Sequence, residues 1–290
     1  MAYKSTKTFL IVGMAGTGKS TFSQSLYTWI SSQYPPIIDF KSCLNSNITS
    51  INLDPATLKV KMPLDLDIRE YFDYENVMET YNIGPNGAVT TIINLFLMRW
   101  DVKITSNFVI IDTPGQIEAF VWSNAGKVLV DKLVYCRSGV SDKIGDNSVK
   151  NDLMSGESIE SGKSKSAKAG VNPNSVILLY LIDSQECKKP SVFMCNMIYA
   201  LILKLRFNVP ILIVFNKVDL SPMPVEWISN YEKFMNDVND DSMCNSLLSS
   251  MALYFEEYYR SFDYIGVSSI TGEGRDEFFE RIEKMMDKNV

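Results

Sequence analysis

The sequence predicts a doubly wound α/β fold, in which a mainly parallel sheet is flanked by helices on both faces. Short apolar, β-branched runs alternate with longer helical patterns such as 21–31 and 276–286. Within the runs the hydrophobicity is continuous rather than alternating, which is typical of strands covered on both faces. This order of elements favours a doubly wound core. The predicted strands are residues 9–12, 48–53, 108–111, 176–182, 211–215 and 265–267.

Bulk composition limits the classes of function. The formal net charge of -6 argues against direct binding of nucleic acid, which needs a basic footprint. The chain contains no histidine, which excludes imidazole metal sites and histidine general bases. Five cysteines without a CxxC spacing indicate an intracellular protein with reduced thiols. The polar start lacks the layout of a signal peptide, and the longest apolar stretch, 192–203, is too short to span a bilayer. We expect a cytoplasmic protein with no membrane role.

Two segments depart from the strand and helix alternation. Residues 137–172 contain no aromatic residue and are rich in Ser, Lys, Gly, Asp and Asn. Such a segment cannot bury enough surface to offset its ordering entropy, so it predicts a mobile polar insertion, with a regulatory or binding segment as the alternative. Residues 225–262 show a helical pattern between two predicted strands and predict a helical subdomain. We expect both to belong to one domain, 1–290.

The first predicted strand leads into a glycine-rich motif of the form GxxxxGK followed by Ser or Thr. In such a motif the backbone amides wrap phosphates, and the following helix N-terminus adds a favourable dipole. Lys19 would reach the β- and γ-phosphates, and the Ser20 hydroxyl would bind Mg²⁺. The motif predicts a P-loop that binds a nucleoside triphosphate, without identifying the base. The predicted contacts are Gly13, Met14, Ala15, Gly16, Thr17, Gly18, Lys19, Ser20 and Thr21.

A second motif, Asp112-Thr113-Pro114-Gly115, follows the third predicted strand. Asp112, at the end of a buried strand, is placed to bind Mg²⁺ directly or through water. The Gly115 amide is then free to sense the γ-phosphate, and Gln116 comes next, where an attacking water is held in many GTPases. Together with the P-loop, this motif predicts nucleotide hydrolysis.

The base is indicated by Asn216-Lys217-Val218-Asp219, again after an apolar strand. The Asp219 carboxylate can accept two hydrogen bonds from guanine, from N1–H and the exocyclic amine, and adenine lacks this donor pair. Lys217 would lie along the base plane. A loop that begins at Ser268 and Ser269 has the composition of one that places a backbone amide against guanine O6. Together the motifs predict a Mg²⁺-dependent GTPase with a P-loop NTPase fold.

A further set of residues lies between the P-loop and Asp112. It consists of Gly84-Pro85-Asn86 and the upstream strings NLDPA at 52–56 and DIRE at 67–70. This set resembles the GPN-loop GTPases, a dimeric branch of the P-loop GTPases. The resemblance runs from about residue 9 to residue 279 and is interrupted mainly by the polar insertion.

The resemblance implies roles for particular residues. Asn86 is expected to project across a dimer interface toward the partner's phosphates and to stabilise the transition state. The residues expected around Mg²⁺ and the attacking water are Asp54, Asp112, Gln116 and Glu118, and which of them activates the water is left open. Asp54 would join Ser20 and Asp112 as a metal ligand. Arg69 falls in the same region, where a surface ion pair is the alternative interpretation.

Other strings, including GMAG in the P-loop, DTPGQIE and FMCNMIYA, look like a eukaryotic branch of this family that is linked to assembly and nuclear import of RNA polymerase II. The resemblance implies a homodimer or a heterodimer with a paralogue, polymerase subunits or assembly chaperones as partners, and movement between cytoplasm and nucleus. Members of this branch usually continue into a charged C-terminal tail, whereas this sequence ends at Val290.

Two alternatives belong to other functional classes. A P-loop kinase acting on a nucleoside or a polynucleotide end shares the first motif but does not need Asp219. A scaffold that binds GTP with little turnover would keep the binding motifs, although the intact Lys19, Ser20, Asp112 and Gln116 argue against a dead site.

Overall fold

The computed structural model describes residues 6–35, 47–100, 104, 106–135, 176–238 and 262–287. Within these ranges seven strands form one sheet in the order β3-β2-β4-β1-β5-β6-β7, and every neighbouring pair is parallel. The strands are β1 Lys7–Gly13, β2 Ile48–Asn52, β3 Leu66–Asp67, β4 Phe108–Asp112, β5 Val176–Asp183, β6 Ile211–Asn216 and β7 Asp263–Val267.

The six strands predicted from apolar runs are confirmed, and the predicted doubly wound α/β fold is confirmed with them. The sequence did not indicate β3, because two residues are too few to produce an apolar run. This strand forms through pairing alone, Ile51 with Leu66 and Asn52 with Asp67, at the edge of the sheet.

Helices connect the strands and cover both faces of the sheet. In chain order they are α1 Lys19–Gln33, α2 Tyr74–Tyr81, α3 Pro85–Met98, α4 Ile117–Val121, α5 Asn124–Tyr135, α6 Pro190–Phe207, α7 Val225–Ser229, α8 Tyr231–Asp237 and α9 Arg275–Asp287. The predicted helices 21–31 and 276–286 correspond to α1 and α9.

Successive residues of β1 face two separate hydrophobic clusters, as the period of two in a strand requires. Phe9 and Ile11 pack in one cluster with residues of α1 and α9. Leu10 and Val12 pack in the other, with residues of α3, α5 and α6. This arrangement explains the continuous hydrophobicity of the strands, because neither face of the sheet is left to solvent.

Helix α6 is the one helix of the described ranges with the length and apolar composition of a membrane span. Its Phe193, Met197 and Leu203 are buried in the core cluster that covers the sheet. The helix extends beyond the apolar stretch 192–203 at both ends, so the expectation that this segment is too short for a membrane span is wrong, and 39% of the helix is buried within the protein.

The structure describes part of one of the two segments predicted to lie outside the core and none of the other. Residues 137–172 lie outside the described ranges. Of the predicted subdomain 225–262, residues 225–238 contain α7 and α8, and 239–261 also lie outside. Trp227 and Phe234 of these helices pack on Phe193 of α6, with ring centroids 5.4 and 5.8 Å away. Whether the segment forms a subdomain stays a prediction.

We expect Phe278→Ala to lower the free energy of unfolding by about 3–5 kcal/mol, the usual cost of removing a buried phenyl ring. Phe278 is fully buried, and its ring lies 5.9 Å from that of Phe22, so it joins α9 to α1. Urea unfolding would measure the change. Leu205→Ala is the control, because Leu205 is 74% exposed, and its effect should stay within about 0.5 kcal/mol. A loss below about 1 kcal/mol at Phe278 would contradict this packing.

Candidate functional site

The predicted motifs meet at one edge of the sheet. Because all strands are parallel, the carboxyl ends of β1, β4 and β6 lie along the same edge, the usual place of ligand sites in open α/β sheets. The P-loop begins at Gly13 at the end of β1, Asp112 is the last residue of β4, and Asn216 is the last residue of β6.

The P-loop is held in place by the buried carboxamide of Asn216. Its Nδ2 donates to the carbonyl of Thr17 at 2.9 Å, and its Oδ1 accepts from the backbone amide and hydroxyl of Ser269 at 3.2 and 2.8 Å. At Gly18, φ is 91° and an added Cβ would lie 2.6 Å from Asn216 Nδ2, so only glycine fits this turn. Asn216 thus acts within the protein, joining the P-loop to the loop after β7.

The other residues of the predicted guanine loop lie beside the P-loop. Lys217 has a positive φ of 65°, and its Nζ donates to the carbonyl of Gly16 at 2.9 Å and to Asp183 Oδ2 at 2.5 Å. Asp219 is exposed. The hydroxyl of Ser268 is buried and accepts from the amides of Ile270 and Thr271, which shapes the last loop. The side chain of Ser268 therefore supports the loop.

An open pocket lies over the P-loop and collects most of the predicted phosphate and metal contacts. Seven predicted site residues line it together, namely Gly16, Gly18, Lys19, Ser20, Thr21, Asp54 and Asp112. The remaining lining residues are Thr57, Lys59, Lys61, Thr113 and Gly115. Of these, Thr57, Lys59 and Lys61 belong to no motif, and only their position close after Asp54 could have suggested them.

Charge is concentrated and buried at the base of this pocket. Lys19 Nζ donates to the carbonyls of Gly13 and Met14 at 2.8 and 3.0 Å. Burial lowers the pKa of Lys19, and the nearby carboxylates Asp112 and Asp54 oppose that shift. Burial also raises the pKa of Asp112 to about 7, against the attraction of Lys19. The site therefore holds an ammonium and carboxylates that water solvates poorly.

The residues present fit a magnesium ion. Asp112 Oδ1 is buried and has no hydrogen-bond partner in the described part of the chain, so it is an acceptor suited to a cation. Among the described residues, no group of three or more His, Cys, Asp or Glu side chains could hold a metal alone. Mg²⁺ is usually bound by one or two carboxylates together with substrate phosphates, which matches Asp54, Asp112 and the Ser20 hydroxyl.

Asp54 connects the two loops that follow β2 and β4. Its Oδ1 accepts from the Ala56 amide at 3.0 Å, and its Oδ2 accepts from the Gly115 amide at 3.4 Å. We predicted a free Gly115 amide, and that expectation is wrong for this structure. Strands β2 and β4 are neighbours, and Asn52 lies opposite Asp112. The loops that follow the two strands therefore meet, and the Asp54 carboxylate accepts a hydrogen bond from the Gly115 amide.

Arg69 forms an ion pair with Asp67, which was the alternative interpretation, in a network that is only partly buried. Its guanidinium binds both oxygens of Asp67, and its Nη1 donates to the carbonyl of Thr57 at 3.0 Å. Asn52 Nδ2 donates to Asp67 at 2.9 Å, while Asn52 Oδ1 accepts from the Asp54 amide at 3.1 Å. Burial opposes ionisation of Asp67, but the hydrogen bonds from Arg69 and Asn52 hold its pKa below the usual range. The network holds Asp54 and the pocket segment together.

Three predicted catalytic residues do not line the pocket. Gln116 and Glu118 lie at the start of α4. Gln116 Oε1 is buried without a hydrogen-bond partner in the described ranges, whereas Glu118 accepts from the Tyr199 hydroxyl at 3.3 Å, on the side of α6. Asn86 is exposed in the first turn of α3, where Gly84 is the N-cap and Pro85 the first helical residue. The catalytic roles of these residues stay predictions.

Comparison with known proteins agrees with this architecture. The chain is 33% identical to GPN-loop GTPase 1 of Saccharomyces cerevisiae, over 98% of this chain and 67% of that protein. It is 32% identical to GPN-loop GTPase 1 of Schizosaccharomyces pombe, over 94% of this chain and 67% of that protein. A crystal structure of a GTPase in apo form from Pyrococcus abyssi has a TM-score of 0.66 at 21% identity, covers 98% of this chain and 97% of its own, and shows the fold alone.

A family model described as "Conserved hypothetical ATP binding protein" matches residues 11–141 and 169–288. The unmatched residues between these ranges fall within the predicted polar insertion. With that match over most of the chain, and with the two yeast relatives, the chain belongs to the GPN-loop GTPase family.

Proposed function

We propose that this chain binds GTP with Mg²⁺, hydrolyses it to GDP and phosphate, and does so as a dimer. The observation that carries the proposal is the meeting of three groups at one sheet edge: the P-loop with Lys19, the buried Asp112 carboxylate, and the loop bearing Asp219. Membership of the GPN-loop GTPases supports GTP hydrolysis as the reaction.

Guanine is the base that this site suits. Asp219 is exposed and lies three residues after Asn216, which joins its own loop directly to the P-loop. A nucleotide whose phosphates lie on the P-loop would then have its base beside the loop that carries this carboxylate. Two hydrogen bonds to a carboxylate select guanine, because adenine offers no donor pair to match it.

The chemistry would be electrostatic. Hydrolysis of GTP needs developing charge on the phosphoryl oxygens to be stabilised by groups that are already positioned. Lys19 and the P-loop amides would bind the phosphates, and Ser20, Asp54 and Asp112 would hold Mg²⁺, which neutralises charge shared by the β- and γ-phosphates when bound. Gln116 directly follows Gly115, and its unpartnered Oε1 is an acceptor suited to a water molecule.

Dimerisation would complete the site. Asn86 is exposed and does not line the pocket of its own chain, so a contribution to hydrolysis requires a second chain. Tyr81, which ends α2 beside the turn, is 58% exposed, and an exposed aromatic ring is a common component of an interface. Both observations support a contact made through the α2–α3 turn, either with a second copy or with a paralogue.

The similarity to GPN-loop GTPase 1 proteins supports the cellular role that the sequence resemblance implies. We propose that the protein acts in assembly and nuclear import of RNA polymerase II, with polymerase subunits or assembly chaperones as partners. It would then work in the cytoplasm and move to the nucleus.

We expect Asp219→Asn to weaken GTP binding by about a hundredfold, because two hydrogen bonds to a charged acceptor are lost. Xanthine carries a carbonyl where guanine carries the exocyclic amine, and the new amide can donate to it. The variant should therefore bind XTP better than GTP. Competition against a fluorescent GDP analogue measures both affinities. Unchanged GTP affinity, or preferred binding of ATP by the wild-type protein, would contradict the guanine assignment.

We expect Asn86→Ala to lower GTP turnover in the presence of Mg²⁺ by about a hundredfold, the usual cost of losing one donor to the transition state. Its affinity for GTP and its dimerisation should stay unchanged. Steady-state phosphate release, nucleotide titration and sedimentation velocity measure these three properties.

A mixing experiment tests whether Asn86 acts in the partner's site. Asn86→Ala keeps its own P-loop, and Lys19→Ala keeps its own Asn86, so a mixed dimer contains one complete site. If subunits exchange at random, the mixture recovers about a quarter of the wild-type turnover. A mixture no more active than the two variants measured separately removes the cross-dimer role. Wild-type protein that binds GTP but does not turn it over would instead favour the scaffold.

A further inference from the structure

The segment between β2 and β3 crosses the phosphate pocket and brings two further lysines to it. Lys59 and Lys61 line the pocket together with residues of the P-loop, and both are exposed. Lys61 Nζ donates to the Thr21 hydroxyl at 2.8 Å, in the first turn of α1. Neither lysine belongs to the P-loop, to the metal ligands or to the guanine loop.

Successive side chains of this segment lie alternately at the core and at the pocket, as they do in an extended chain. Met62 is buried in the core cluster beneath α1, and Val60 and Leu64 pack against the same cluster. Lys59 and Lys61, at the intervening positions, line the pocket. The position of the ammonium groups over the pocket is therefore set by apolar burial on the other side of the segment.

Hydrogen bonds hold the segment on both sides of the lysines. On one side, the Thr57 carbonyl accepts from Arg69 Nη1 at 3.0 Å. On the other, Asp65 Oδ2 accepts from the amide and hydroxyl of Ser50 at 2.8 and 2.9 Å. The backbone is thus anchored to β2 and to the turn after β3, while the two lysine side chains extend toward solvent and the pocket.

The charge of the pocket depends on these two lysines. Without them, its ionisable lining consists of Lys19 and the two carboxylates Asp54 and Asp112, in a chain whose formal net charge is -6. Before a bound Mg²⁺ is counted, such a lining carries more carboxylates than ammonium groups, so Lys59 and Lys61 add the positive charge that the pocket offers to a phosphate chain. With Lys59 and Lys61, cations outnumber carboxylates in the lining.

We propose that Lys59 and Lys61 form a second cationic wall of the phosphate site and bind the phosphates shared by GTP and GDP. The inference rests on the proposed function, since it assigns additional binding residues to the same nucleotide. The link from Lys61 to Thr21 places the wall beside the first turn of α1, where the P-loop ends. Both nucleotides should therefore depend on it.

The test compares nucleotide affinity in charge-removing and charge-keeping variants. The double variant Lys59→Met, Lys61→Met should bind a fluorescent GDP analogue, and GTP in competition with it, about tenfold more weakly at about 50 mM salt. The difference should shrink at about 500 mM salt, because exposed charges are screened. Lys59→Arg, Lys61→Arg should keep most of the affinity. Thermal unfolding of each variant confirms that it is folded.

A control of equal charge change uses lysines away from the pocket. Lys127 is exposed on α5, and Lys284 is 70% exposed near the end of α9, which runs back from the edge that bears the site. The double variant Lys127→Met, Lys284→Met should bind both nucleotides as the wild type does. If it is weakened equally, net charge rather than the wall explains the result, and the proposal is overturned.

The other possible outcomes also test whether Lys59 and Lys61 form a cationic wall. Wild-type affinity in the Lys59→Met, Lys61→Met variant at low salt overturns the cationic wall. A loss that persists unchanged at high salt, or that arginine does not restore, assigns these residues a structural role and overturns it too. If wild-type protein itself does not bind GTP while remaining folded, the proposed function fails first. In that case the inference fails with it.

Discussion

The hydrogen bonds of the buried Asn216 carboxamide hold the site together. They connect the end of β6 to Thr17 in the P-loop and to Ser269 after β7, so three loops that are distant in the chain share one side chain. A buried amide that loses one partner leaves unsatisfied groups, which is costly. The loop that would read the base and the loop that would bind the phosphates are therefore positioned together by contacts within the protein.

Burial of charge is the second constraint. Asp112 lies at the end of a central strand, where solvent cannot stabilise its carboxylate, and its Oδ1 has no hydrogen bond in the described ranges. Lys19 lies nearby but donates its own hydrogen bonds to carbonyls of the P-loop. The arrangement leaves an acceptor for a cation and an ammonium for phosphates at the base of the same pocket. Their pKa shifts follow from this burial, since desolvation is the largest cause for both groups.

The segment from Asp54 to Arg69 joins these constraints to the outer part of the site. Asp54 accepts a hydrogen bond from the Gly115 amide, and Arg69, which is paired with Asp67, donates to the Thr57 carbonyl. A change at Asp54 would reach both the loop after β4 and the segment that carries Lys59 and Lys61. Residues proposed to bind the nucleotide thus also hold these two connections in one arrangement.

By itself the sequence determined the fold class, six of the seven strands, and the P-loop, Asp112 and Asp219 motifs. These features are local, since continuous burial marks each strand and each motif lies within a few residues of a strand end. Tertiary structure decided which side chains share the pocket. Parallel pairing of β2 with β4 brings Asp54 to Gly115, and core packing of Met62 turns Lys59 and Lys61 toward the phosphate site. Gln116 and Glu118 stay outside the pocket lining, although in the sequence they closely follow the lining residue Gly115. Such contacts join residues far apart in the chain or depend on which face a side chain takes, and neither is written in a local pattern.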